Sequence, residues 1–173
     1  MSIPYNDLYH CMGHTYGTWL PGDPKGFRTR HHRDHCEGDY KNPPPKGTFD
    51  DLHERSKDLM QRDPVYLDET QRRLALDAFI NSLLKRNIPV IIGGIDRIHF
   101  HVLAPFPDHN PRHWIGIAKK ESSHALKAQG HGIDGGIWAV RCKCLPIEDA
   151  RHAERANGYI ADHADRGAVI WSR

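Results

Sequence analysis

Two histidines one residue apart, His99 and His101, are of a type and spacing that could do chemistry. Strand side chains alternate between two faces, so the two imidazoles share one face while the apolar Phe100 and Val102 share the other. Neutral imidazole is the commonest side-chain ligand of metals, and two side by side could chelate one ion. The chain contains 14 histidines, which makes an isolated pair a weak signal. The position of the two histidines in an otherwise apolar strand favours a functional site.

A tyrosine and a histidine form a second pair near the end of the chain. Tyr159 and His163 are four residues apart and therefore share one face of a predicted helix, with His152 earlier on the same stripe. A tyrosine hydroxyl can act as a covalent nucleophile, but it is mostly protonated at neutral pH and needs a metal or a neighbouring base. A lone tyrosine is usually a packing residue. The flanking Gly158 and His163 favour a functional role for this one.

The elements that must position these pairs follow from periodicity and capping signals. We predict strands within 7–19 and at Val90–Ile95, Ile98–Phe106 and Ile137–Leu145, and helices from Asp68 to Asn87, from Asn110 to about Gly130 and from Pro146 to Gly167. The order βαββαβ with an extra C-terminal helix predicts an α+β, ferredoxin-like antiparallel sheet with two helices on one face. The other sheet face is left for the last helix or for a ligand. Gly93-Gly94 predicts a bulge or a close backbone approach.

Several segments resemble a known family. His99-Phe100-His101 resembles the HUH motif (His, hydrophobic, His), and Tyr159–His163 with Arg166–Val169 resembles the nucleophile helix of single-tyrosine HUH transposases. The most similar group is the REP-associated tyrosine transposases and related insertion-sequence enzymes. The opening segment Thr15–Asp23 also resembles the start of one subgroup. The resemblance covers most of the chain, with the motifs in the expected order.

The resemblance implies a metal-dependent single-stranded DNA endonuclease and strand transferase. Tyr159 would attack a DNA phosphorus, leaving a 5′-phosphotyrosine link and a free 3′-OH. His99, His101 and His163 would hold Mg²⁺ or Mn²⁺. The family often has an amide residue at the third position, and three imidazoles favour Mn²⁺ over Mg²⁺. Single-stranded DNA with hairpin structure is the expected partner, and a homodimer is expected, with the site built in cis or in trans.

DNA contacts are expected from two basic segments. Residues 110–130 carry a net charge of +3, from four cations and Glu121. The four cations are Arg112, Lys119, Lys120 and Lys127. They could form a phosphate-contacting ridge or merely a solvated helix face. Arg28 and Arg30, in the basic stretch 25–35, could clamp single strands or be ordinary surface residues.

Composition and net charge exclude some classes of protein. The 173 residues carry a net charge of +2, which excludes a strongly basic nucleic-acid coat. We expect a single domain over 1–173 with a long polar excursion at about 21–66, which holds 9 basic and 9 acidic residues. The sequence shows neither a secretory signal nor an apolar run of about 20 residues, so no membrane partner is expected. Four cysteines without a Cys-x-x-Cys pair predict a cytoplasmic protein, nucleoid-associated when bound to DNA, with inert thiols favoured over a zinc site.

Two other functions remain open. The first is a non-catalytic ferredoxin-like module that binds single-stranded DNA or RNA, although the exposed sheet face offers histidine rather than the aromatic residues typical of such modules. The second is a metal-dependent hydrolase of small substrates, for which neither a carboxylate base nor a closed pocket is indicated.

Overall fold

The computed structural model describes residues 5–24, 27–28, 35–36 and 45–173, and its contacts divide the chain into two units. The smaller unit, Gly17–Pro64, contains helix α1 (Asp50–Asp58) and two paired two-residue strands, β2 (Phe27–Arg28) and β3 (His35–Cys36). Acidic residues lie in the first turn of α1 and basic residues in its last turn, which favours the helix dipole. The segment expected to be a polar excursion therefore has secondary structure of its own.

The larger unit contains a five-stranded antiparallel sheet. Its strands are β1 (Leu8–His14), β4 (Ile92–Ile95), β5 (His99–Pro105), β6 (Lys143–Pro146) and β7 (Val169–Ser172). Their order is β6-β1-β5-β4-β7, and all neighbours are antiparallel. Strands β1, β4, β5 and β6 have the ferredoxin-like arrangement, so the predicted α+β class is confirmed.

Helices α2 (Glu69–Leu84) and α3 (Pro111–Ala128) cover one face of this sheet and bury the main core. A capping box begins α2, as the sequence predicts. The Gln71 backbone N–H donates to the Asp68 carboxylate at 2.8 Å, and the Asp68 N–H donates to the Gln71 side chain at 3.0 Å. Among the helices that the structure describes, none has the length and apolarity needed to cross a bilayer.

The end of the chain differs from the sequence-based expectation. Pro146 belongs to β6, and helix α4 begins only at Ala150, where the Asp149 carboxylate accepts a hydrogen bond from the His152 N–H at 2.7 Å. Helix α4 (Ala150–Ala161) passes into a 3-10 turn (Asp162–Arg166), and Gly167 follows with a φ of +82°. After Gly167, where the sequence predicts no further element, the chain forms strand β7, which pairs with β4.

Helix α4 lies on the second face of the sheet, where Gly94 packs closely against Ile170 of β7. A second apolar cluster joins Ala156 and Ile160 of α4 to residues of β1, β4 and β5. A Cβ added to Gly94 would lie 2.7 Å from Ile170 Cδ1, and one added to Gly93 would lie 2.7 Å from Ile80 Cδ1 on the opposite face. The register of β4 with β5 is continuous. The glycine pair therefore serves close packing, not a bulge.

An ion-pair cluster joins the end of α2 to α3 through Glu121. Both guanidinium Nη atoms of Arg86 donate to its carboxylate, at 2.6 and 3.3 Å, and Lys85 Nζ lies 2.7 Å from it. The hydrogen bonds from Arg86 and Lys85 lower the pKa of Glu121 to about 2. Because the folded-state pKa is depressed, this contribution to stability is complete above the ordinary value of 4.5 and is lost as the pH falls through about 2.

We expect Glu121→Gln to lower the free energy of unfolding by about 1 kcal/mol at neutral pH. The difference from wild type should shrink as the pH falls from 4.5 toward 2. Urea unfolding of both proteins across that range measures it. Glu69→Gln, which breaks the exposed pair with Arg73, is the matched control and should have a smaller effect. Equal losses for the two variants would contradict the prediction.

Candidate active site

Four histidine rings gather on the sheet face that carries α4. His99 and His101 come from β5, His10 from the neighbouring strand β1, and His163 from the 3-10 turn after α4. The ring centroids of His101 and His163 are 4.6 Å apart, those of His10 and His101 are 5.3 Å apart, and those of His99 and His101 are 6.4 Å apart. His101 is thus the centre of the cluster.

The Tyr159 ring lies beside these histidines and belongs to the same chain. Its centroid is 4.7 Å from that of His163 and 5.5 Å from that of His101, with the rings nearly perpendicular in both pairs. The side chain is 48% exposed, whereas His101 and His163 are 7% and 6% exposed. The buried His101 and His163 rings therefore have an accessible phenol beside them.

Each of the three predicted ligand histidines uses Nδ1 in a hydrogen bond. His163 Nδ1 donates to the Tyr159 carbonyl oxygen at 2.7 Å. His99 Nδ1 donates to the Asp96 carboxylate at 3.2 Å. His101 Nδ1 lies 3.1 Å from His10 Nε2. In all three rings Nε2 is the nitrogen left for another partner.

Asp96 builds the turn that presents His99. One carboxylate oxygen accepts hydrogen bonds from the backbone N–H groups of Ile98 and His99 at 2.7 and 2.6 Å. The other accepts from the His99 ring. Burial alone would raise the pKa of Asp96, but these hydrogen bonds lower it to about 2. Asp96 is therefore a fixed anion that orients the His99 imidazole.

Two of the buried rings, those of His10 and His101, are held in the neutral state. Burial, with the neighbouring His10 and His163, lowers the pKa of His101 to about 3. Burial, with His152 and His163, lowers the pKa of His10 to about 4. A neutral imidazole carries one ring proton and one free lone pair. At neutral pH each of these two rings can therefore donate one hydrogen bond and offer one lone pair.

His99, His101 and His163 have the donor chemistry of a site for a borderline transition-metal ion such as Mn²⁺, because each ring uses Nδ1 in a hydrogen bond and leaves Nε2 for another partner. Across the described ranges, however, no group of three or more His, Cys, Asp or Glu side chains is already arranged to hold a metal ion. The three predicted ligand histidines therefore lie near one another without forming a preformed metal site.

The basic residues of α3 divide into two environments. Arg112, Lys120 and Lys127 are exposed, and their helical positions fall within an arc of about 80°. Lys119 is 7% exposed, and its ammonium donates to the backbone carbonyls of Ala139, Val140 and Arg141. Burial lowers its pKa. This corrects the expectation of an exposed Lys119, because that ammonium is used inside the protein.

The remaining predicted sites give little further information. Arg28 lies in strand β2, and Arg30 lies outside the described residues.

Cys142 and Cys144 have sulfur atoms 3.9 Å apart. A hydrogen bond with Cys11 raises the pKa of Cys144 to about 12, and one with Cys144 raises that of Cys142. Protonated thiols are poor nucleophiles and metal ligands.

Two residues of the site, His10 and Asp96, were missed by sequence reasoning. His10 and Leu8 have the same strand parity. A polar residue on the same face of β1 as the apolar Leu8 could therefore have indicated a functional side chain. Its importance depends on the pairing of β1 with β5, which a ferredoxin-like order implies. Asp96 precedes His99 by three residues, a spacing at which a turn aspartate can accept from backbone N–H groups.

The fold and the site define a ferredoxin-like α+β protein in which two strand histidines face a helix that carries a tyrosine. It has the fold of a REP-associated tyrosine transposase, solved bound to a REP hairpin, with a TM-score of 0.55 and 12% sequence identity. The match covers 96% of this chain and 72% of that one. No protein-family model matches the chain, and no curated protein is significantly similar to it.

Proposed function

We propose that this protein is a DNA-binding, transposase-like enzyme: a metal-dependent single-stranded DNA endonuclease and strand transferase. The observation that carries the proposal is the position of the Tyr159 ring against His101 and His163 in one chain. An accessible phenol beside these imidazoles provides a nucleophile next to groups that can hold a cation. The shared fold with a transposase supports the same assignment.

The proposed reaction transfers a phosphoryl group to Tyr159. The phenol oxygen loses its proton and forms a bond to a DNA phosphorus, while the bond between phosphorus and the 3′ oxygen breaks. That oxygen takes up a proton and leaves as a free 3′-OH, and the 5′ end remains linked to tyrosine. Because one phosphodiester replaces another, a 3′-OH can later reverse the step without an external energy source.

We propose that His99, His101 and His163 hold Mn²⁺ or Mg²⁺, with Mn²⁺ favoured by three imidazoles. Bound there, the cation would stabilise the negative charge of the phosphate during transfer. The protein's own contribution is orientation. Asp96 fixes the His99 ring, and the Tyr159 carbonyl fixes the His163 ring.

The proposed substrate is single-stranded DNA that contains a hairpin, because the protein that shares the fold was solved with one. A homodimer is also part of the proposal. Tyr159 and His101 already lie together within one chain, so the dimer is not needed to bring the nucleophile to the histidines.

The proposal is tested with the full chain, labelled hairpin-containing single-stranded DNA and Mn²⁺ or Mg²⁺. We expect a protein–DNA adduct that survives denaturing electrophoresis, linked at a 5′ end, together with a released 3′-OH strand. Chelation of the metal should prevent its formation. Tight DNA binding without any adduct under these conditions would instead support the non-catalytic binding module.

The exposed cations of α3 should contribute to DNA binding through phosphate contacts. We expect Lys120→Ala and Lys127→Ala each to weaken binding across sequences and to reduce the slope of log affinity against log salt by about 1. Titration of DNA binding at several salt concentrations measures this.

Arg73→Ala is the matched control for these two variants. Arg73 is an exposed cation on the neighbouring helix α2, where it pairs with Glu69 at 2.7 Å. Its salt slope should equal that of wild type. An unchanged slope in both lysine variants would show that this face of α3 is only solvated.

A further inference from the structure

We propose that His10 is a positioning residue that accepts the Nδ1 proton of His101 and so leaves His101 Nε2 free to bind the metal. The inference rests on the proposed function and deepens it, since it names a residue outside the expected ligand set. The contact that carries it joins His10 Nε2 to His101 Nδ1 at 3.1 Å.

The chemistry of two neutral imidazoles allows only two arrangements of this hydrogen bond. If His10 donates, His101 keeps its own proton on Nε2 and has no lone pair to offer a cation. If His10 accepts, His101 is protonated on Nδ1 and its Nε2 lone pair is free. Only the second arrangement makes His101 a ligand through the nitrogen that the fold leaves unassigned.

In His163 and His99 as well, Nδ1 donates a hydrogen bond and Nε2 is left for the metal, and there the partner atoms can only accept. A carbonyl oxygen takes the Nδ1 proton of His163, and a carboxylate takes that of His99. Metal-ligating histidines commonly donate their second ring N–H in this way, which fixes both tautomer and orientation. For His101 the corresponding acceptor is the Nε2 nitrogen of His10.

The position of His10 is suited to this role. Its side chain is 7% exposed, and its ring lies edge-on to Tyr159 with centroids 6.1 Å apart. In the β1–β5 register His10 is opposite Leu103, so it reaches His101 diagonally across the pair of strands. Both strands belong to the centre of the sheet, which holds the two rings at a fixed separation.

The test compares His10→Gln with His10→Leu in the full chain. The glutamine carbonyl can still accept from His101 Nδ1, whereas leucine fills similar space without an acceptor. We expect the Mn²⁺ affinity, measured by calorimetry, to fall about 10- to 100-fold in His10→Leu and to stay close to wild type in His10→Gln. His131→Ala, a histidine away from the cluster, serves as the control. Thermal unfolding of each metal-free variant separates loss of fold from loss of binding.

A second measurement does not depend on metal or activity. Nitrogen chemical shifts of the metal-free wild-type protein report which ring nitrogen of His101 carries the proton, and we expect Nδ1. A proton on Nε2 would overturn the inference, as would equal Mn²⁺ affinities in the leucine and glutamine variants. Wild-type protein that neither binds Mn²⁺ nor forms an adduct would contradict the proposed function instead, while the shifts still decide the role of His10.

Discussion

Replacement of Tyr159 by phenylalanine should abolish the covalent protein–DNA adduct while DNA binding stays close to wild type. The change removes one oxygen atom, the proposed nucleophile, from a side chain that is 48% exposed. Its ring contacts with His101 and His163 do not need the hydroxyl, so the phenylalanine ring can occupy the same place. Adduct formation on denaturing gels and DNA binding at equilibrium are the two measurements.

Tyr66→Phe is the matched control for this experiment. Tyr66 is 52% exposed in the same unit, and the Arg97 guanidinium lies 4.7 Å from its ring centroid. This variant should form the adduct at the wild-type rate. If Tyr159→Phe still forms an adduct, another residue is the nucleophile and the proposed chemistry is wrong.

Removal of the central histidine should have the second large effect. We expect His101→Ala to lower the rate of DNA nicking by about 100-fold or more, because charge stabilisation of the transferred phosphate is lost. The Mn²⁺ affinity should fall with it. The Tyr159 hydroxyl is untouched by this change, so the variant separates loss of the cation from loss of the nucleophile.

The fold of this variant needs its own measurement. His101 is buried, and its loss leaves His10 without its ring partner, which costs about 1–3 kcal/mol of stability. His101→Gln refills part of the space and should also nick poorly, while unfolding at a temperature closer to that of wild type. Nicking that keeps its dependence on Mn²⁺ in both variants would remove His101 from the proposed site.

Local patterns predicted the central features of this protein. Alternation along β5 placed His99 and His101 on one face, and the spacing of Tyr159 and His163 placed them together on one helical stripe. The start of α2 was predicted because Asp68 and Gln71 form a capping box, which depends on neighbouring residues alone. These patterns involve residues of one helix or one strand only, so they can be recognised in the sequence without knowing the tertiary structure.

Features that depend on distant segments were not predictable in this way. Lys119 was expected to contact DNA, but its ammonium binds carbonyls some twenty residues later in the chain. Strand β7 was missed because four residues are too few for a clear alternation, and its formation depends on pairing with β4. The partnership of His10 with His101 spans 91 residues. Each case requires the sheet order before the contact can be inferred.

The position of β7 has a consequence for how the tyrosine helix could be shared between copies of the chain. Strands β6 and β7 lie at opposite ends of the strand order, and α4 connects them across the sheet face. Helix α4 is thus connected at both ends to edge strands of the sheet. Passing it to a neighbouring copy would require breaking all four residue pairs between β7 and β4. Helix α4, which carries Tyr159, is therefore held against its own sheet by its connection to strand β7.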